Sequence, residues 1–554
     1  MKRIICLLIT VSVLLNVLPV LAKEEICYSK AELIQAGDFG GNQIIPSNKT
    51  EIQLYSAEDS VYQVLYEGMK NSQTEINIAK YNIKEEDIVT VFSTVINSNP
   101  DLFYVSNYFE YSRSDGYVIV FAPQYYDEYN TNECKERFET EADYIISDII
   151  KDGMTDEDKV LALHDYLVMN VTYDMEIYKG EGNYDMITHS AYAALVNEVA
   201  VCSGYALAFK YLLNHLDIDC ICFTSNAMKH AWNGVKLDDK WYHIDATWDD
   251  PEFIGGGASG YVDHDYFLLS DETMISGRNN SHYGWAETDV VCDSKKYETG
   301  YPFSGDKDVV SGFVYENGGF YYIKYLQKKD GKLYYRAPEL IFSNFDGSTE
   351  ETIKKFSVNA KKCFMQYHDG ELFFYCWGPN VENSINVENS IYEYNVGTDE
   401  IKEIAQSPIS NVEDYKLGLD IKNDKLLWYA HHDDSVMTEY DFEKDIEDIT
   451  IGKPILKGAF HVDKFTAREA IENGLKMSIS NHTEKDKEYD IYFAYYKDGI
   501  LMGISSKRVT VPKHSHKIAI LEKLAEDGKD ADNVRIFMMN KFFAPEVNEK
   551  FDLK

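Results

Sequence analysis

The stretch "KHAWNGVKLDDKWYHIDATWDDP", Lys229 to Pro251, decides the fold at the centre of this chain. It reads as two strands around a turn at Asp238-Asp239. A two-residue turn pairs Leu237 with Lys240. Side chains alternate faces along a strand, so His230, Trp232, Trp241, His243, Asp245 and Thr247 share one face. The other face carries Ala231, Val235, Leu237, Tyr242, Ile244, Ala246 and Trp248, and reads as the core-directed set. His230 and Asp245 become diagonal neighbours on the non-core face, within side-chain reach.

Just upstream, "AVCSGYALAFKYLLNHL" runs from Ala200 to Leu216. Leu207, Tyr211, Leu212 and Leu216 fall on one side of a helix, which places Cys202 at its N-terminus. Free amides and the helix dipole at such a position favour a thiolate over a thiol. Gly204 keeps side-chain bulk away from the sulfur. A nucleophile also needs a base and a group that orients the base. Cys202, His230 and Asp245 supply all three. Cys202 attacks a carbonyl carbon, and His230 takes the thiol proton and returns it to the leaving amine. Asp245 fixes the imidazole tautomer. The Cys202 amide is one oxyanion donor. His243 is a second candidate base, but on Asp245's own strand it makes a poorer relay. The bland alternative is an inert buried cysteine ahead of a helix.

These residues resemble the transglutaminase-like superfamily. The resemblance is carried by "AVCSGYALAFKYLL", "HAWNGVKLDDKWYHIDATWDDP" and "YFLLSD" in that order, with "HDYLVMNVTYD" and "HSAYAAL" as a lead-in. Cys202, His230 and Asp245 match its triad. The resemblance covers about residues 155 to 275. It implies a papain-like α+β core, a helix carrying Cys packed on an antiparallel sheet carrying His and Asp. It also implies a cysteine enzyme acting on amide or peptide carbonyls through a thioester. The acceptor is water in a peptidase or amidase, and a lysine amine in a crosslinking acyltransferase. Trp232 and Tyr205 are the candidate substrate-binding residues. The rival reading is an inert transglutaminase-like scaffold serving in surface binding or adhesion.

The remaining chain sets the context. Of 554 residues, 54 are Lys or Arg and 93 Asp or Glu, a net charge of −39. Such a surface repels nucleic acid and anionic lipid. Residues 1–22 read as an export signal, with Lys2 and Arg3 ahead of an apolar run ending "VLA". The expected location is therefore secreted or at a bacterial cell surface, with a protein or peptide substrate, cell-wall associated or otherwise. No cofactor or metal is expected. Cys220 and Cys222 form a C-x-C with no second pair to complete a zinc site. His164, His189, His215 and His264 read as packing or surface histidines, and Gly255–Gly257 as a loop. Residues 23–52 read as a mobile leader, 53–154 as a helical and β region packed on the core, and 155–300 as the catalytic core. Residues 301–455 read as β-rich repeats. The cores "NGGFYY", "DGELFF" and "NDKLLW" begin at Asn317, Asp369 and Asn423, a spacing of propeller-blade length. Three blades fall short of the four to eight that close a propeller. Residues 456–554 read as an immunoglobulin- or fibronectin-like β-sandwich.

Overall fold

The computed structural model describes residues 25–30, 60–179, 186–250, 262–277, 281–285, 290–304, 309–330, 333–356, 362–368, 370–377, 390–406, 416–422, 425–431, 436–441, 449–451, 455–456, 474–481, 485–513, 515–521, 533–540 and 551–553. The export signal and the Gly255–Gly257 loop lie outside them. Among the described residues, no helix is long and apolar enough to cross a membrane.

The chain forms two compact units, and the first ends at Asn132. In it, helices α1 (Val61–Lys70) and α2 (Ile88–Ser98) are amphipathic. The sheet strands are β1 (Glu25–Lys30), β2 (Ile76–Asn77), β3 (Val105–Ser114) and β4 (Tyr117–Tyr125), in the order β1-β3-β4-β2. Asp115 and Gly116, both at positive φ, make the turn between β3 and β4. Within residues 23–52, Glu25–Lys30 forms a strand. It pairs antiparallel with β3 from Glu25↔Arg113 to Lys30↔Tyr108, which supplies the backbone partners an edge strand otherwise lacks.

The second unit opens with α3 (Asn132–Ile149) and α4 (Asp156–Asn170). The unit boundary thus falls at residue 132, ahead of the 154/155 division read from the sequence. Thr155 caps α4 reciprocally: its hydroxyl accepts from Asp158 N, and the Asp158 carboxylate accepts from Thr155 N. Helix α5 (Cys202–Asn214) follows, then strands β5 (Cys220–Ser225), β6 (His230–Leu237), β7 (Lys240–Ile244) and β8 (Phe267–Leu269), in sheet order β8-β7-β6-β5. Leu237 pairs with Lys240 across the Asp238-Asp239 turn, and both turn residues have positive φ. The short helix α6 (Asp271–Ser276) is capped by Ser270.

Both faces of this sheet are buried, which corrects the assignment of His230, Trp232 and His243 to a non-core face. Helix α5 covers one face, where Asn233 and Cys222 both reach the Ala206 carbonyl. The other is covered by a cluster of Phe223, Trp232, Tyr266, Leu269, Met274 and Cys292, with Trp248 and Trp285 against it. Two-sided burial explains why the hairpin carries aromatics on both alternating sets.

Beyond the core the described chain is β-rich. Three antiparallel meanders follow in order. Their strands are Val314–Glu316, Gly319–Asp330, Leu333–Ser343 and Glu350–Lys355; then Lys362–His368, Glu371–Trp377, Ser390–Asn395 and Glu400–Gln406; then Lys416–Lys422, Lys425–His431 and Val436–Asp441. The first two meanders share one apolar cluster. Two further sheets, built on Leu475–Asn481 and Lys487–Lys497, bury a common core of Met477, Ile479, Ile491, Phe493 and Ile536.

Candidate active site

Cys202 is the first residue of α5, and Val201 at the N-cap is extended. The turn is packed tightly. A side chain on Gly204 would meet Ala200 Cβ at 2.7 Å, Thr188 O at 2.9 Å and Ser190 O at 3.0 Å. Glycine at 204 is therefore required by backbone packing of the helix start, which places Cys202, rather than by space around the sulfur.

His230 opens β6. Asp245 sits one residue past the end of β7, where its amide donates to Tyr266 O at 3.0 Å. Its Oδ1 accepts from Thr247 N (3.1 Å) and Trp248 N (3.2 Å). This tight turn takes Thr247 and Trp248 off the strand. Trp248, expected on the face opposite His230, instead stacks on the His230 ring at 5.2 Å and 27°. Asp245 Oδ2 accepts from His230 Nε2 at 2.6 Å. Cys202 also acts on the His230 imidazole, so the sulfur lies near the ring that Asp245 holds.

The electrostatics follow from burial. Cys202 and Asp245 are fully buried and His230 is 6% exposed. Burial by itself pulls the His230 imidazole down. The charge and hydrogen bond of Asp245, with the Cys202 sulfur acting as an acceptor, outweigh it and push the imidazole up to about 10. Burial likewise pushes the Asp245 carboxyl up, but His230 and His282 hold it well below the usual range. The arrangement therefore stabilises an imidazolium beside the sulfur.

The other named residues settle differently. Trp232 is buried, stacks on His230 at 5.8 Å and 18°, and donates Nε1–H to His243 Nδ1 at 3.0 Å. It packs between the two imidazole rings. His243 Nε2 lies 2.8 Å from Asp271 Oδ1. Both His243 nitrogens are occupied, which removes it as an alternative base. Tyr205 is also buried. Its hydroxyl lies 2.6 Å from both Val171 O and Asp250 Oδ2, which ties Tyr205 into the core. Burial pushes the Cys222 thiol up to about 11 and the Cys220 thiol well up, as inert core thiols should be.

A second histidine, His282, went unnoticed in the sequence. "SHYGW" carries no periodic or spacing signal. Its Nε2 lies 2.8 Å from the same Asp245 Oδ2 that holds His230.

Three groups of His, Cys and carboxylate side chains lie close enough to ligate a metal: His164–Asp165–His264, His230–Asp245–His282 and His243–Asp271–Cys292. In each, imidazole nitrogens and carboxylate oxygens sit 2.6–2.8 Å apart, hydrogen-bond spacing, so these donors are directed at one another.

This geometry meets the comparisons with known proteins at one place. Residues 144–246 match the family model described as "Transglutaminase-like superfamily". The chain carries a transglutaminase-like core. The mouse and human kyphoscoliosis peptidases are each 23% identical to it, over 118 and 120 residues. That is 19% of this chain and 17% and 18% of those proteins, so the chain spans under a fifth of the curated relatives it matches. A solved structure described as a TGase is 23% identical and covers 25% of this chain and 44% of its own, with a TM-score of 0.19. Red sea bream transglutaminase is 9% identical, with 80% and 61% covered and a TM-score of 0.17.

Proposed function

We propose that the chain is a cysteine enzyme that attacks amide or peptide carbonyls through a thioester at Cys202. The single observation that carries this reading is His230, bonded to Asp245 and influenced by the buried Cys202 at the start of α5. Cys202 Sγ forms the bond to the carbonyl carbon. The proton held by His230 goes to the departing amine as the C–N bond breaks. Water or an amine then releases the acyl group. Hydrolysis is the preferred outcome, and the peptidase naming of the curated relatives favours it. The export-signal pattern of residues 1–22 supports a location outside the cytoplasm, with a protein or peptide substrate at or near a cell surface.

The experiment is mass spectrometry of candidate peptides incubated with the protein, with and without an added primary amine. Hydrolysis and amine incorporation give different masses in one run. Cys202→Ala should abolish both while circular dichroism stays unchanged. Undiminished turnover in that variant overturns the assignment and leaves the inert-scaffold reading.

A further inference from the structure

We infer that His282 is a positioning residue of this site, holding the Asp245 carboxylate in the orientation from which it aims His230. The inference rests on the proposed Cys202 chemistry. Asp245 Oδ2 takes two imidazole donors, His230 Nε2 at 2.6 Å and His282 Nε2 at 2.8 Å, while Oδ1 takes two backbone amides. Four donors fix both the position and the rotation of the carboxylate. Without His282, Oδ2 is anchored only by the ring it is meant to orient.

His282 is itself held in place. Its amide donates to Met274 O at 2.8 Å, and the next residue's carbonyl accepts from Ser225 Oγ at 2.6 Å. Gly284, at φ +64, lets this segment turn against Ala227, which a side chain at 284 would approach within 3.1 Å. The His282 ring is fully buried against Trp248 (4.1 Å), Trp232 (4.8 Å, edge-on) and Tyr266 (5.2 Å). Its Nδ1 is buried with no hydrogen-bond partner among the described residues. A buried acceptor without a partner costs stability.

The charged and titratable groups facing the ring are Asp245 on one side and His230 and His243 across the sheet. Burial and the two histidines hold His282 below the ordinary imidazole value, against the pull of Asp245. A neutral ring that donates through Nε2 leaves Nδ1 without a proton. His282 does not replace His230 as base, because the one proton it donates goes to Asp245.

The test uses the full chain and p-nitrophenyl acetate, whose burst reports acylation of Cys202 without knowledge of the natural substrate. Cys202→Ala supplies the background from other thiols. His282→Phe fills the aromatic cage without a donor. His282→Asn places its amide nitrogen where Nδ1 stands, out of reach of Asp245. His282→Gln reaches the Nε2 position. Acylation should fall on the order of tenfold to a hundredfold in the Phe and Asn variants, as misaligned catalytic groups do, and Gln should recover most of that loss. The rate ratio of iodoacetate to iodoacetamide at Cys202 should fall with acylation, because a mobile imidazolium attracts the anionic reagent less. Equal acylation and equal ratios in all variants overturn the inference, even if their melting points drop. So does loss of the folded state in all three variants, which would make residue 282 a structural requirement. A wild-type burst no larger than that of Cys202→Ala overturns the underlying reading instead.

Discussion

Asp245 Oδ2 lies 2.6 Å from His230 Nε2, although Asp245 stands one residue outside the strand that pairs with His230's strand. The contact exists because the turn after Ile244 folds the carboxylate back through its Oδ1 bonds to Thr247 N and Trp248 N. Asp245→Asn keeps one oxygen for those amides and turns an NH2 group toward two imidazole donors. Catalysis should fall about ten-thousandfold, as loss of the correct tautomer does in other triads. Breaking a buried pair should also cost about 3–5 kcal/mol of stability, readable as a lowered urea midpoint. A rate within tenfold of wild type would remove Asp245 from the mechanism.

The same pair sets a pH dependence. The folded His230 imidazole is raised to about 10 by Asp245 and Cys202 against the effect of burial. A group raised on folding contributes stability that is complete below its unfolded value, about 6.5, and is lost as pH climbs through 10. Asp245 is depressed on folding, so its contribution is complete above about pH 4 and lost in acid. Urea unfolding at pH 6, 8 and 10 should show declining stability in wild type and a flatter decline in Asp245→Asn. Parallel curves would mean that the pair is not charged in the folded state.

Gly204 gives a mechanical prediction. A methyl group at this position meets two carbonyl oxygens and the Ala200 side chain within 3.0 Å. Gly204→Ala should cost about 1–3 kcal/mol as an overpacking change. It should also slow Cys202 alkylation, since the first turn of α5 must move. A variant with wild-type melting and wild-type alkylation would show that the helix start has slack the structure does not reveal.

The hairpin was legible because period-two alternation survives through Ile244, and the turn at Asp238-Asp239 fixes the register at Leu237↔Lys240. The same rule failed from Asp245 onward, because a side chain bonding its own backbone breaks the strand without a Pro or Gly to announce it. The buried state of both sheet faces was not legible, because the cover on the second face comes from Tyr266, Leu269, Met274 and Cys292 in later segments. His282 was invisible for a related reason. It lies 37 residues from Asp245 and meets it only through tertiary folding.

The histidines read as packing or surface residues include two that sit in a second buried ionic network. Asp165 Oδ1 accepts from His164 Nδ1 and His264 Nε2, each at 2.8 Å, and its Oδ2 accepts from Phe313 N. His164 Nε2 continues to Asp249 Oδ2 at 3.2 Å, and Asp249 N donates to Asp245 O at 3.1 Å, which joins the network to the catalytic turn. Burial lowers the His164 imidazole, but Asp165 and Asp249 outweigh it and push it up to about 9. Asp165→Asn has one oxygen for three buried donors and should cost about 3–5 kcal/mol, measured by urea unfolding at pH 6. The loss should shrink as pH rises through 9, because the raised His164 has by then surrendered its contribution in wild type too. A penalty that stays constant from pH 6 to 10 would show that His164 is neutral in the fold and that the network is held by ordinary hydrogen bonds alone.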